Sequence, residues 1–293
     1  AINAVGLAVT PCAGSRAPRG HAEHLVDSLP QLGGQVEPVI PVLIQIRDAG
    51  LFREGAASLR TLTRAIERNT LPSLQVFIIT CDRPEAVERL LHSIANSSAT
   101  ELPKTYTLID DSRDVSLAEK NRALVNAHNS SESFQVRYFG LEARALLLAH
   151  LIEAVPEHED SIRFLLDRQQ WGDLPTYGLS RSIALLLGVG SRILVFDDDV
   201  LCEAVRSPLP EEPLHFAGIT GRKAMFWPEH EAQQADKKTL KDSPIALMAR
   251  QLGTMLTEGI RSLSHGDLPE IALEGANGTF VRSLTPESPI LQT

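Results

Sequence analysis

Three consecutive aspartates, Asp197-Asp198-Asp199, follow directly on the apolar run Ile193-Leu194-Val195-Phe196. A run of β-formers that ends in carboxylates reads as a strand delivering acids to the carboxyl edge of a sheet, where open α/β sheets bind ligands. Three adjacent like charges disfavour one another unless a cation or solvent offsets them. Hard divalent ions such as Mg²⁺ or Mn²⁺ take a few carboxylate oxygens and complete their shell with substrate phosphates and water. In an extended strand Asp197 and Asp199 point to one side and Asp198 to the other, which makes the outer pair the candidate metal ligands. The plain alternative is a solvated turn after a strand.

A second acidic strand end is Leu108-Ile109-Asp110-Asp111-Ser112. A carboxylate there can accept hydrogen bonds from a base N–H or a ribose hydroxyl. It can equally cap the helix that follows. A third strand end, Ile79-Thr80-Cys81-Asp82-Arg83-Pro84, adds a hydroxyl, a carboxylate and a guanidinium. Further polar candidates are His230, His265, Trp227 and the pair Arg222-Lys223, each more simply read as a surface or core residue.

These residues need elements to bring them together. The sequence predicts a buried strand over 76–80 and a helix from Pro84 to about Asn96 with an apolar stripe of Val87, Leu90, Leu91 and Ile94. A second strand spans 106–109, and the interval from Thr80 to Asp110 has the size of one βαβ unit. Residues 129–133 read as a polar break, 135–139 as a strand, 141–155 as a helix and 156–176 as an insertion. An apolar helix over 179–187 is stopped by Gly188 and Gly190 before the strand 192–196. Beyond it, the pattern predicts a strand over 214–219 and one helix from Ile245 to about Arg261. Residues 1–35 read as irregular with a short helix around 21–29, and 39–69 as helical. The division is therefore a mostly helical N-terminal appendage, 1–70, and an α/β domain, 71–293.

The 293 residues are enough for either one large domain or two modest ones. With 28 basic against 37 acidic side chains the net charge is -9, which would repel a nucleic-acid backbone, and no segregated basic patch offsets it. A divalent cation reconciles such a chain with a diphosphate ligand. No apolar run reaches the length of a membrane-spanning helix. The 3 cysteines, Cys12, Cys81 and Cys202, show no CxxC spacing, so a reducing, cytoplasmic setting is the expectation. The start, Ala1-Ile2-Asn3, carries no Met and no signal-peptide layout, as in a chain cut from a longer one.

Taken in order, Thr80–Pro84, Asp110–Ser112, Gly178-Leu179-Ser180-Arg181-Ser182 and Asp197–Asp199 resemble the motifs of the inverting GT-A glycosyltransferases, particularly the family 2-like enzymes of bacterial polysaccharide synthesis. Gly275-Ala276-Asn277-Gly278-Thr279-Phe280-Val281-Arg282 is similar to the strand that closes the acceptor side in that family. The resemblance covers about residues 74–283. It implies a GT-A fold, a mixed sheet flanked by helices, and transfer of a sugar from a nucleotide-diphosphate sugar to an acceptor hydroxyl with inversion and with Mn²⁺ or Mg²⁺.

It further implies a donor site of Thr80, Asp82, Arg83, Asp110, Asp111, Arg181, Asp197 and Asp198, with Asp197 and Asp199 on the metal. The catalytic base falls to Glu274, with Glu270 next, or to residues beyond Thr293. Departures from the pattern are Asp82 for Asn, Arg113 for Gly, Ser182 for Asn, and a long interval between Asp110 and Asp197. Two rival readings are a haloacid-dehalogenase-like phosphatase, whose Asp-x-Asp motif wants Thr or Val where Leu201 stands, and a non-catalytic GT-A-like binding module.

Overall fold

The run Leu74–Thr80 carries apolar residues without alternation because both of its faces are covered. In the computed structural model it is β1, with Val76, Phe77 and Ile78 essentially inaccessible to solvent. The structure describes residues 18–51, 55–67, 70–97, 103–131, 134–172, 174–204, 214, 216, 243–264, 268, 270–273, 276 and 278–291. The chain divides into two compact units, one of residues 70–206 and 236–253, the other of 1–69, 207–235 and 254–292.

The first unit is a four-stranded, all-parallel sheet flanked by helices. Its order is β3-β2-β1-β4, with β2 at Thr105–Asp110, β3 at Gln135–Phe139 and β4 at Arg192–Asp197. β1 pairs with β2 so that Thr80 lies opposite Asp110, and with β4 so that Ile79 lies opposite Asp197. The three acidic or hydroxyl-bearing strand ends of the sequence therefore finish side by side at one edge. Among the described residues all pairings in this sheet are parallel.

Strand alternation assigns the helices. Val76 and Ile78 of β1, Tyr106 and Leu108 of β2 and Leu194 of β4 face a cluster with α4 (Pro84–Ala95), α5 (Val115–Ser131) and α9 (Pro244–Gln251). Phe77, Ile79, Ile109, Ile193 and Val195 face the opposite cluster with α6 (Leu141–Ala154), α7 (Glu159–Leu166) and α8 (Tyr177–Leu187). Each fully buried large apolar side chain contributes about 1.5–3 kcal/mol. α5 runs through Asn129 to Ser131, where composition reads as a break. Its Asn129 side chain exchanges hydrogen bonds with the backbone of Val136, so a polar residue serves to dock the helix end on β3.

The second unit holds α1 (Pro18–Ser28), α2 (Val39–Asp48), α3 (Gly55–Leu62), α10 (Leu256–Leu263) and α11 (Gly278–Ser283). α1 and α2 pack through Ala22, Leu25, Val39 and Leu43. α3 joins α10 and the 3-10 turn Glu270–Leu273 in a cluster of Leu59, Leu62, Ile260 and Leu273. Two expectations are corrected. The single helix expected over 245–261 is two, α9 and α10, because Gly253 adopts φ 78 between them. The strand expected near 275–282 is helix α11, whose Val281 packs on the α3–α10 cluster in place of pairing with a neighbouring strand. The expected strand at 214–219, His230, His265, Trp227 and Arg222-Lys223 lie outside the described residues or have only isolated ones within them.

Between α8 and β4 the chain reverses over Gly188 and Gly190. At Gly188 a Cβ would stand 2.3 Å from Ile193 Cγ2 and 3.0 Å from the Ala184 carbonyl, so the turn closes only without a side chain. Gly188→Ala is expected to destabilise the sheet unit by about 1–3 kcal/mol, the usual cost of overpacking, read as a lower denaturant midpoint at an unchanged far-UV spectrum.

Candidate functional site

The strand order 3-2-1-4 reverses the direction of chain progression between β1 and β4. The crevice outside the carboxyl ends of those two strands is the topological switch point, where open α/β sheets bind ligands. Thr80 to Arg83 leave β1 there, and Asp197 to Asp199 leave β4 beside them.

Alternation carries Asp197 to the α8 side. Arg181 on α8 donates from Nη2 to both of its carboxylate oxygens, at 2.9 and 3.1 Å. Asp198 turns the other way and is 4% exposed, accepting a 2.6 Å bond from the Thr80 hydroxyl on Oδ2 and pairing through Oδ1 with Arg83 Nη1 at 3.0 Å. Arg83 also reaches Asp199 Oδ2 from Nη2 at 3.3 Å. The side chains of Asp197 and Asp199 remain 52% and 56% exposed. Three carboxylates thus meet two guanidiniums and keep one negative charge uncompensated.

Burial, above all, raises the Asp198 carboxyl above its ordinary range; Thr80 and Arg83 oppose the shift, and Asp199 and Asp197 add to it. A proton held more tightly in the folded chain than in the unfolded one makes this group favour the fold below the usual aspartate range. That contribution is lost as pH rises through the raised value.

The β2 end divides by the same alternation. Asp110, 1% exposed, turns toward α5: Oδ1 accepts from the Ser112 backbone N–H, and Oδ2 from Asn121 Nδ2 and the Tyr138 hydroxyl. Asp111 turns toward α6, where Oδ1 takes Arg144 Nη1 at 2.6 Å and Oδ2 takes the Thr176 hydroxyl at 2.8 Å. Arg168 Nη1 donates to the carbonyls of Asp111 and Ser112. Both carboxylates, expected at the nucleotide, are enclosed and occupied by protein donors. Asn121, Tyr138, Arg144, Arg168 and Thr176 were not signalled by any motif, since each is defined only by its long-range partner.

Asp82 sits in the β1–α4 turn. Its backbone N–H donates to Ser112 Oγ at 2.9 Å, and its Oδ1 accepts from the backbone N–H groups of Arg113 and Asp114 at 2.7 and 2.9 Å. Cys81 beside it bonds the Asp111 carbonyl; burial and then the charges of Asp82 and Asp111 push its thiol up to about 11. Glu274 lies outside the described residues, and Glu270 falls in the 3-10 turn of the other unit. No group of three or more His, Cys, Asp or Glu side chains suited to a metal occurs among the described residues.

Comparison of the chain with protein-family models, with curated proteins and with solved structures finds no match. The class therefore rests on the geometry: an α/β chain with a four-stranded parallel sheet between helices, compatible with a Rossmann-like fold. No helix among the described residues is long and apolar enough to cross a membrane.

Two outcomes follow. Asp110→Ala removes the acceptor of the Ser112 backbone N–H, the Asn121 amide and the Tyr138 hydroxyl, leaving the last two only their longer bonds to Ser112 Oγ at 3.4 Å and the Ala118 carbonyl at 3.3 Å, and should destabilise the sheet unit by about 1–3 kcal/mol, measured by chemical denaturation. Cys81, with its thiol at about 11, should form ~100-fold less thiolate at pH 8 than an ordinary cysteine and alkylate correspondingly slowly with iodoacetamide, read by peptide mass spectrometry.

Proposed function

We propose that the chain is a nucleotide-sugar-dependent glycosyltransferase of GT-A type, moving a sugar from a nucleotide-diphosphate donor to an acceptor hydroxyl. The observation that carries this reading is two half-exposed ion pairs, Arg83–Asp199 and Arg181–Asp197, at the carboxyl ends of β1 and β4 beside the switch point. Two half-exposed guanidiniums there can receive a diphosphate, for which arginine's forked donors are well matched. Two half-exposed carboxylates supply hard oxygen ligands, and the uncompensated negative charge of the corner favours a cation.

That donor set fits Mn²⁺ or Mg²⁺ held by Asp197 and Asp199, with phosphate and water completing the shell. When bound, the cation would neutralise the charge that develops on the leaving diphosphate. Arg83 and Arg181 would hold the same diphosphate from the protein side. Thr80 holds Asp198 beside the end of β1, where the parallel ladder with β4 finishes. Asp110 and Asp111 hold the neighbouring loop in shape and leave contact with the donor to residues nearer the cleft. Deprotonation of the acceptor hydroxyl is assigned to Glu274, the acidic residue nearest the segment 275–282 in the sequence.

A second reading, a binding module of the same frame without transfer, is favoured by one observation: every aspartate of the triplet already has an arginine partner. Release of free sugar from the donor separates the two.

Calorimetric titration with UDP- and GDP-sugars tests the proposal. The wild-type chain should bind one of them only when Mn²⁺ or Mg²⁺ is present, and Asp199→Ala should lose the metal-dependent increment while its thermal midpoint stays within a few degrees of wild type. Equal donor affinity in Asp199→Ala would remove the metal-held diphosphate from the account.

A further inference from the structure

Arg83 is delivered to the cleft by a turn that the backbone would not adopt unaided. Among the described residues Asp82 is the sole non-glycine with positive φ, at 55°. This left-handed region crowds Cβ against the following carbonyl, and a non-glycine residue stays there when its surroundings fix it. Three hydrogen bonds do so here: the Asp82 N–H to Ser112 Oγ, and the Arg113 and Asp114 N–H groups to Asp82 Oδ1. Ser112 is itself held through its backbone N–H by Asp110, which Asn121 and Tyr138 hold in turn. The next residue after this pinned turn is Arg83, and Pro84 begins α4 immediately behind it.

The direction in which Arg83 leaves the backbone is therefore set by Asp82. A relaxed, negative φ at Asp82 would rotate the following peptide and carry the guanidinium away from Asp198 and Asp199. Asp82 was expected among the donor contacts, yet its Oδ1 is spent on backbone N–H groups of the β2–α5 loop.

We infer that Asp82 is a positioning residue: its carboxylate locks the β1–α4 turn in a left-handed conformation and so aims Arg83 into the cleft. What this is for, the capture of a diphosphate, rests on the reading of the site as a donor site. The requirement on the side chain is narrow, an acceptor oxygen one carbon beyond Cβ on a residue that tolerates positive φ. Asparagine meets it, alanine meets neither condition, and glycine meets only the second.

The test follows the Arg83 guanidinium directly, through its Nε–Hε resonance in ¹⁵N-labelled protein, assigned with Arg83→Lys. Asp82→Asn should keep that resonance in place. Asp82→Ala and Asp82→Gly should collapse it to the solvent-averaged position while the amides of β1, β2 and β4 keep theirs; glycine covers the case in which alanine fails to fold. An unmoved Arg83 resonance in Asp82→Gly overturns the inference.

Uridine and guanosine diphosphate, titrated with Mn²⁺ present, give the second readout. Asp82→Ala should weaken the better ligand about tenfold, the order of one charge-assisted contact, and should weaken it no further in an Arg83→Ala background. Additive losses in the double variant overturn the inference by showing that Asp82 acts apart from Arg83. Failure of wild type to bind either diphosphate sinks the donor-site reading alone, and the resonance still decides the positioning role.

Discussion

A carboxylate buried between two strand ends has to be satisfied by the protein itself, and Asp198 sets that condition for this sheet. An ionised carboxyl group loses its hydration when enclosed, and only close hydrogen bonds and an opposite charge make the enclosure tolerable. Thr80, on the neighbouring strand, gives the first, and Arg83, two peptide bonds beyond the hydroxyl's successor Cys81, gives the second. The ends of β1 and β4 are remote in sequence; the parallel ladder sets them level, and this contact ties together the residues just beyond it. Everything exposed at the edge, including Arg83, Asp199 and the Asp197–Arg181 pair, stands where that fastening leaves it.

The two-residue period of the strands then distributes the remaining charges. Asp110 and Asp111 are adjacent, yet one bonds with Asn121 of α5 and the other with Arg144 of α6, on opposite sides of the sheet. Asp111 also gathers Thr176 and Arg168, so the crossover that leads to α8 is tied to the β2 edge before it supplies Arg181. Buried carboxylates serve here as anchors for loops. The half-exposed ones near the end of β4, Asp197 and Asp199, pair with Arg181 and Arg83 at the surface.

Strand runs, the glycine stop before β4 and the order of the acidic strand ends were legible because each depends on neighbours in sequence: Val76–Thr80 is an apolar run, and Gly188-Val189-Gly190 interrupts one. The fate of Asp110 was not legible, since a carboxylate after a strand looks the same whether it faces a nucleotide or Asn121. The same holds for Arg144 and Thr176, ordinary residues until Asp111 is brought to them. α11 was misread because the strand reading of 275–282 rests on resemblance to a family motif, whereas the cluster it packs on, with Leu59 and Ile260, comes from other parts of the chain. The grouping of residues 254–292 with the N-terminal helices is likewise a long-range fact.

The central claim is that a diphosphate is received at the switch point between β1 and β4. Backbone amide NMR of the ¹⁵N-labelled chain, titrated with a nucleoside diphosphate and Mg²⁺, locates the ligand most directly. The account predicts perturbations concentrated at residues 80–83, 181 and 197–199, with the amides of β3 little changed. Saturable perturbations confined to other parts of the chain, or none at millimolar ligand, would contradict it.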